Sequence, residues 1–450
     1  MEIGKKQKKI IKICNFFFKN SKNIKNIKGS SSLTYFALWG QSPGFERIKL
    51  KLYGAKYLIS FILKIVKDIF LISALSNFKI YKNKKLKKIN YKKVIVSNAT
   101  LSDFNQEGIY TDRYFQINSK TLNDYLFFII YQSEKLPKKI NNNIVILFNN
   151  NKFKYDIFFL IKYIFFKLIN CKLSLTIFFH KTSTYYRTSE IITKLIKNEI
   201  NFKNIEKIIV PYEGQPYQHA IFQEAKRLNK KILTFGYDHS APHSLPLHLI
   251  HRNVSPDILF VNGSSQIEHL NKFLNWPKKK LRLVPSARYP KNLDLGFKNK
   301  IFLPYEIFDI DTISEEFEKI VINSPLKRFN LLEVKNHPLM PNSKKHKLMK
   351  MKLDGIIKKH KKRFAKLKKK NKDTAIFIGP TTGVIVALEK NIKVIHICFN
   401  SIFDSYSEVL WPNLKVKKIA NNSFKYNIKK LNSFVKFSNN KNCFKKYYEI

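Results

Sequence analysis

Acidic residues are scarce in this 450-residue chain: 31 Asp and Glu stand against 84 Lys and Arg, a formal net charge of +53. The imbalance excludes an acidic, cation-buffering protein and draws the surface toward polyanions, nucleic acid and anionic lipid alike. No zinc-finger, RNP-type or KH-type signature accompanies the charge, so specific nucleic-acid binding is not expected. The lysines are spread with Asn, Ile and Phe over nearly every segment. That fits compositional drift and a solvated coat as well as a lipid-facing surface. Cysteine is sparse too. Cys14, Cys171, Cys398 and Cys443 form no CxxC pair and no metal-ligand spacing, which excludes a disulfide scaffold and suits a reducing compartment.

Long apolar runs are also missing, since no stretch reaches the ~18 uninterrupted residues of a spanning helix. Residues 57–75 come nearest, but Ser60, Lys64, Lys67 and Asp68 gather on one helical face. An amphipathic helix of this kind covers a sheet or lies in a membrane interface. Residues 156–179 are likewise interrupted, by Lys162, Lys167 and Lys172. The apolar run 10–18 is broken by Lys12 and lacks a small-residue cleavage site, so no signal peptide is read. The expected location is cytoplasmic, with peripheral contact to an anionic inner membrane.

What is present is an alternation of strands and helices. An apolar fraction of 44% supports a folded chain, and 450 residues exceed one ordinary core. We read a basic, mobile tail over 1–30, an N-terminal domain over 31–286 and a C-terminal domain over 287–450. Strands are expected at 94–97, 144–148, 207–211, 231–237, 258–261 and 281–285 in the first domain. In the second they are expected at 301–303, 331–334, 374–378 and 393–397. Helices are read at about 218–228, 266–274 and 313–322, with a long basic one after residue 338. This is the pattern of an α/β protein with two Rossmann-like domains facing a cleft.

Chemistry concentrates at the strand ends, where open α/β sheets bind ligands. Glu213 follows the strand at 207–211, inside Tyr212-Glu213-Gly214-Gln215-Pro216. The turn either exposes a carboxylate able to take a hydroxyl proton or caps the next helix. Asp238 and His239 end the following strand and point to the same crevice. Four histidines (His239, His243, His248 and His251) share this loop, but Pro242 and Pro246 prevent a helical ligand pair, so no metal is expected. In the second domain Lys335 and His337 lie two residues apart before Pro338, on one side of a strand end. A cation and an imidazole there suit a phosphate leaving group. The turn Gly379-Pro380-Thr381-Thr382-Gly383 joins a strand to a helix, where free N–H groups either hold a phosphate or are capped by the threonines. Asp309-Ile310-Asp311 reads as a helix start rather than a metal motif.

YEGQPYQHA, SPDILFVNGS, NWPKKKLRLVPSARY, KNHP and PTTGVIVALEKNIKVIHI together resemble GT-B glycosyltransferases of bacterial surface-carbohydrate (polysaccharide and lipopolysaccharide) biosynthesis, over about 205–397. Glu213-Gly214, His337-Pro338 and Thr381-Thr382 further resemble motifs of sialyltransferases that use CMP-activated sugars. The resemblance implies Glu213 as general base and His337 as partner of the departing phosphate. It implies donor-phosphate contacts from Lys335, Gly379, Thr381, Thr382 and Gly383, with acceptor-side support from Gln215, Asp238 and His239. The implied partners are a nucleotide-sugar donor and a glycan or lipid-linked acceptor, with no cofactor. Tyr212 stands where the acidic pair has its first acid, and Val386 where many members place a ribose-binding glutamate, so the nucleotide stays open. Two alternatives share the pattern: a polyol-phosphate transferase or nucleotide-sugar epimerase on the same fold, and a non-catalytic basic membrane-surface protein.

Overall fold

Short runs of β-branched and aromatic residues become buried strands, because their side chains pack well on a pleated surface covered on both faces. A computed structural model describes residues 2–21, 35, 43–59, 62–63, 66, 78–83, 91–149, 161–162, 164–165, 183–292, 294–323, 332–337, 343–360 and 374–439. Most of 156–179 and of 57–75, Pro338 and residues 361–373 lie outside the described residues.

The first sheet uses β1 (Phe78–Lys82), β2 (Lys93–Ala99), β3 (Tyr125–Tyr131), β4 (Ile144–Asn149), β5 (Lys207–Pro211), β6 (Leu233–Tyr237), β7 (Ile258–Val261) and β8 (Leu281–Leu283). Their order is β1-β4-β3-β2-β5-β6-β7-β8, and every pairing is parallel except β1 with β4. The order reverses between β2 and β5, which makes their carboxyl ends the switch point. A linking strand β9 (Ser286–Pro290) leads to the second sheet. That sheet contains β10 (Lys300–Phe302), β11 (Glu333–Lys335), β12 (Thr374–Ile378), β13 (Lys393–Ile397), β14 (Leu414–Ala420) and β15 (Ser423–Ile428). Its order is β11-β10-β12-β13-β15-β14, parallel through β13 and closed by an antiparallel hairpin. A second switch point falls between β10 and β12. These two Rossmann-like sheets are the α/β architecture expected from the sequence.

The tail expected to be mobile over 1–30 is instead helical over α1 (Glu2–Ser21). Gln7, Ile10, Ile11 and Cys14 recur at helical spacing and are buried, while Lys5, Lys6, Lys8, Lys9 and Lys12 stay in solvent. The lysines mask an apolar stripe in the sequence without preventing it from docking. The Gln7 amide donates to Ile402 O at 2.9 Å and Ser405 O at 2.7 Å, and accepts from the Ser407 hydroxyl at 2.6 Å. Asn275 Nδ2 donates to Asn15 Oδ1 at 3.0 Å, so the same helix touches both halves.

One continuous core runs through both sheets, joining Val210 and Leu259 to Ala375 and Val394. Buried hydrogen bonds tie the halves together: Trp411 Nε1 to Ser244 O at 2.8 Å, Ser244 Oγ to Phe403 O at 2.9 Å, and Tyr406 Oη to Pro242 O at 2.8 Å. The loop that follows His239 is therefore pressed against residues 403–411. Among the described residues no helix is long and apolar enough to cross a membrane.

Candidate active site

Glu213 stands one turn beyond β5, at the first switch point, and its neighbours explain its pose. Before it, Tyr212 alternates into the core, where its hydroxyl meets His219 Nε2 at 2.7 Å. The position that resembles a missing acid is thus a buried structural tyrosine. After it, Gly214 adopts φ +63°, and a Cβ there would lie 2.0 Å from His248 O, so the turn accepts no side chain. The helix Pro216–Leu228 begins next, and Gln218 Oε1 accepts the N–H groups of Glu213 and Gln215, each at 3.0 Å. Capping is therefore done by Gln218, which leaves the Glu213 carboxylate for other work.

That carboxylate accepts from Gln215 Nε2 at 2.5 Å and faces His239 Nε2 at 3.7 Å. Its side chain keeps 42% of its accessible surface, open to the crevice. Enclosure by the surrounding walls nevertheless raises its pKa, against the opposing effects of the Gln215 hydrogen bond and the Arg288 charge. Desolvation holds His239 well below the ordinary imidazole range, so it faces Glu213 as a neutral ring. Among the described residues its Nδ1 has no hydrogen-bond partner. Tyr114 packs its ring edgewise on His239 at 4.4 Å, carried there by a loop that Asp112 pins through the N–H groups of Tyr114 (2.8 Å) and Phe115 (2.9 Å). Tyr217, bonded by Asn98 at the end of β2 (3.3 Å), completes this wall.

Asp238 behaves differently from its neighbour. It is 4% exposed, accepts from Gln266 Nε2 and the Ser240 hydroxyl, and has its pKa pushed up to about 7 by burial. With those partners and almost no exposed surface, it braces the strand end.

Across the crevice, His337 follows β11 and packs edgewise on Tyr305 at 5.4 Å. Burial, aided by the charges of His346 and Arg288, lowers its pKa. Lys335 is paired with Glu333, two residues back on the same strand face, so the cation expected beside His337 is already engaged. The Gly379–Gly383 turn follows β12 at the second switch point. Gly379 has φ +68° and lies so close to Phe399 that a Cβ would sit 2.4 Å from its ring. Thr381 Oγ1 accepts the Gly383 N–H at 3.1 Å, at the start of the helix Gly383–Glu389. Glu213, Gln215 and His239, by comparison, touch one another directly.

Three further residues matter here. Arg288, on β9, has a charge felt by Glu213 and His239 on one sheet and His337 on the other. Glu389 accepts backbone N–H groups from Asn432 (2.5 Å), Phe434 (2.7 Å) and Val435 (3.3 Å), which makes it a structural clasp. Asp404 caps the turn after β13 through Phe399 N at 2.9 Å. Asp309 Oδ1 accepts the Thr312 N–H at 3.0 Å, a helix start as read. Among the described residues, no three His, Cys, Asp or Glu side chains converge as a metal ion requires.

The enclosed histidines set an acid limit to stability. His219, His239, His243, His248, His269 and His396 are all held below the ordinary range by desolvation, the third, fifth and sixth to about 4. The unfolded chain protonates them below about pH 6.5 while the fold cannot, so each removes stability as pH falls. Asp238 and Asp404, both raised to about 7 by burial, act oppositely: the fold takes up their protons first, adding stability down to about pH 4. His337 is lowered too, and Asp112, Glu213 and Glu389 are raised by burial, so seven imidazoles stand against five carboxyls and prevail. Thermal unfolding between pH 7 and 5 should show a falling midpoint, and a rising one would mean the histidines are hydrated in solution.

No protein-family model matches the chain, and no curated protein sequence matches it. Trehalose 6-phosphate synthase from Burkholderia multivorans is similar in structure at 11% identity and a TM-score of 0.34, covering 64% of this chain and 76% of that one. The apo form of the lipopolysaccharide outer core galactosyltransferase WaaB is similar at 10% identity and a TM-score of 0.32, covering 70% and 83%. Likeness at this level carries no argument about the site, which rests on the geometry above.

Proposed function

We propose that this protein is a glycosyltransferase that moves a sugar from a nucleotide-sugar donor to a surface-glycan or lipid-linked acceptor. The observation that carries the reading is Glu213: a raised, crevice-facing carboxylate at one switch point, looking across a linker arginine to His337 at the other sheet's strand ends. Glu213 takes the proton of the acceptor hydroxyl, with Gln215 fixing one of its oxygens and neutral His239 beside the other. The acceptor oxygen bonds to the anomeric carbon as the bond to the donor phosphate breaks. The phosphate departs toward His337, Thr381 and Thr382, whose place at the second sheet's strand ends supports a donor side there. No metal is needed for these steps.

A lipid-linked acceptor is supported by the exposed apolar side chains of Leu58, Ile59, Ile62, Leu63 and Val66, set among lysines on a strongly basic chain. A cytoplasmic enzyme working peripherally at an anionic membrane fits that surface. The nucleotide is tested by thermal shift across CMP-, UDP-, GDP- and dTDP-sugars. One nucleotide should raise the unfolding midpoint by several degrees at saturation; uniform silence would remove the transferase reading.

A further inference from the structure

Arg288 is the central residue of β9, and the backbone around it is fixed. Ser286 N–H donates to Lys436 O at 2.8 Å, Ala287 N–H to the Tyr237 hydroxyl at 3.1 Å, and Lys291 N–H to Ser438 O at 2.8 Å. Tyr237 is itself held by Asn262 Oδ1 at 3.1 Å. Ser286, Ala287 and Tyr289 are buried, whereas the Arg288 side chain emerges into solvent, its guanidinium 5.5 Å from the Tyr289 ring centre. Among the described residues it forms no ion pair with a carboxylate. A cation on a fixed strand, unpaired and set between the strand ends of two sheets, is arranged for an anion that enters the crevice. Guanidinium suits phosphate in particular, because its fork of N–H donors matches two phosphoryl oxygens.

We propose that Arg288 binds the phosphoryl group of the donor, supplying from the linker the cationic contact that Lys335 cannot give while it is paired with Glu333. Naming the anion as a sugar-nucleotide phosphate rests on the glycosyltransferase reading; the anion site itself does not. During transfer the electron pair of the breaking bond from the anomeric carbon goes to the phosphate oxygen, and Arg288 faces that new charge. The acceptor's proton goes to Glu213, so charge is balanced across the linker. Docking a phosphate also masks the guanidinium charge that Glu213 feels, which makes the carboxylate a stronger base once the donor is in place.

The test is calorimetric titration of inorganic pyrophosphate into the full chain at about 150 mM salt, where a diffuse lysine coat is screened. Arg288→Gln should weaken binding by about tenfold or more, and Arg288→Lys by less, because the bidentate fork is lost but the charge stays. Lys335→Ala should bind nearly as the parent does. Unaltered binding by Arg288→Gln, equal losses in Arg288→Gln and Lys335→Ala, or no binding by the parent chain would each overturn the proposal. Because the side chain is exposed, unchanged circular dichroism and unfolding midpoint serve as the folding control. Arg288-dependent pyrophosphate binding without consumption of any sugar nucleotide would keep the anion site and discard the transferase. Transfer whose donor KM ignores Arg288→Gln would do the reverse.

Discussion

Glu213→Gln should lower the rate of sugar transfer by roughly two to four orders of magnitude, the usual worth of a positioned general base, while donor binding stays within about twofold. The substitution is nearly isosteric and keeps an oxygen that can accept from Gln215, so the turn is not disturbed. Gln218 holds the backbone N–H of residue 213 at 3.0 Å whatever side chain it carries. Single-turnover measurements with saturating donor separate the chemical step from binding. The pH profile adds an independent readout. Burial raises the Glu213 carboxyl, so the parent's rate should fall on acidification through a pKa above the ordinary glutamate value. The variant, having no carboxyl there, should lose that limb. A variant that transfers at the parent rate would move the base elsewhere, with His239 first in line at 3.7 Å from the same carboxylate.

Much of this site was legible because strand ends are marked by local signals. The strands at 207–211, 258–261, 374–378 and 393–397 are found with the same limits as read, since each is an apolar run bounded by polar or turn residues. Glu213 and His239 follow such runs directly, and the structure brings them together. Tyr125–Tyr131 escaped notice because a strand buried on both sides has no alternation to reveal it. The partners of Asp238 and Lys335 were illegible for another reason. Alternation tells which side of a strand a residue occupies, but not that Gln266 or Glu333 waits there to engage it. Arg288 lies inside a recognisable string, PSARY, yet nothing local distinguishes it from the other cations of so basic a chain. Its significance is a matter of three-dimensional placement, set by β9 pairing with the strand Phe437–Ser438. In the same way, the lysines of α1 concealed a helix whose buried face is set by contacts some 400 residues away.

Trp411→Ala should cost about 3–5 kcal/mol of stability, as expected for deleting a fully buried aromatic side chain. Trp411 has no exposed surface, stacks on His269 at 4.1 Å with planes 6° apart, and donates its indole N–H to Ser244 O at 2.8 Å. His269 belongs to the helix Ser264–Phe273 on the first sheet, and Ser244 to the loop after His239, so the loss falls on the junction between the halves. Because one core spans both sheets, the variant should still unfold in a single transition, shifted to lower denaturant. Far-UV circular dichroism follows the whole chain, while fluorescence in the variant follows the remaining indoles, including buried Trp276 beside Tyr212 in the first half. Coincident midpoints are expected. Separated midpoints would show that the halves hold together by surface contact alone. Met351→Ala, at a side chain 70% exposed, is the matched control and should change stability by no more than about 0.5 kcal/mol. The site gives this junction functional weight. The loop gripped by Trp411 carries His239 at one end, and in its middle the His248 carbonyl that shapes the Glu213 turn. Loosening the grip should therefore raise the acceptor KM before it changes donor binding.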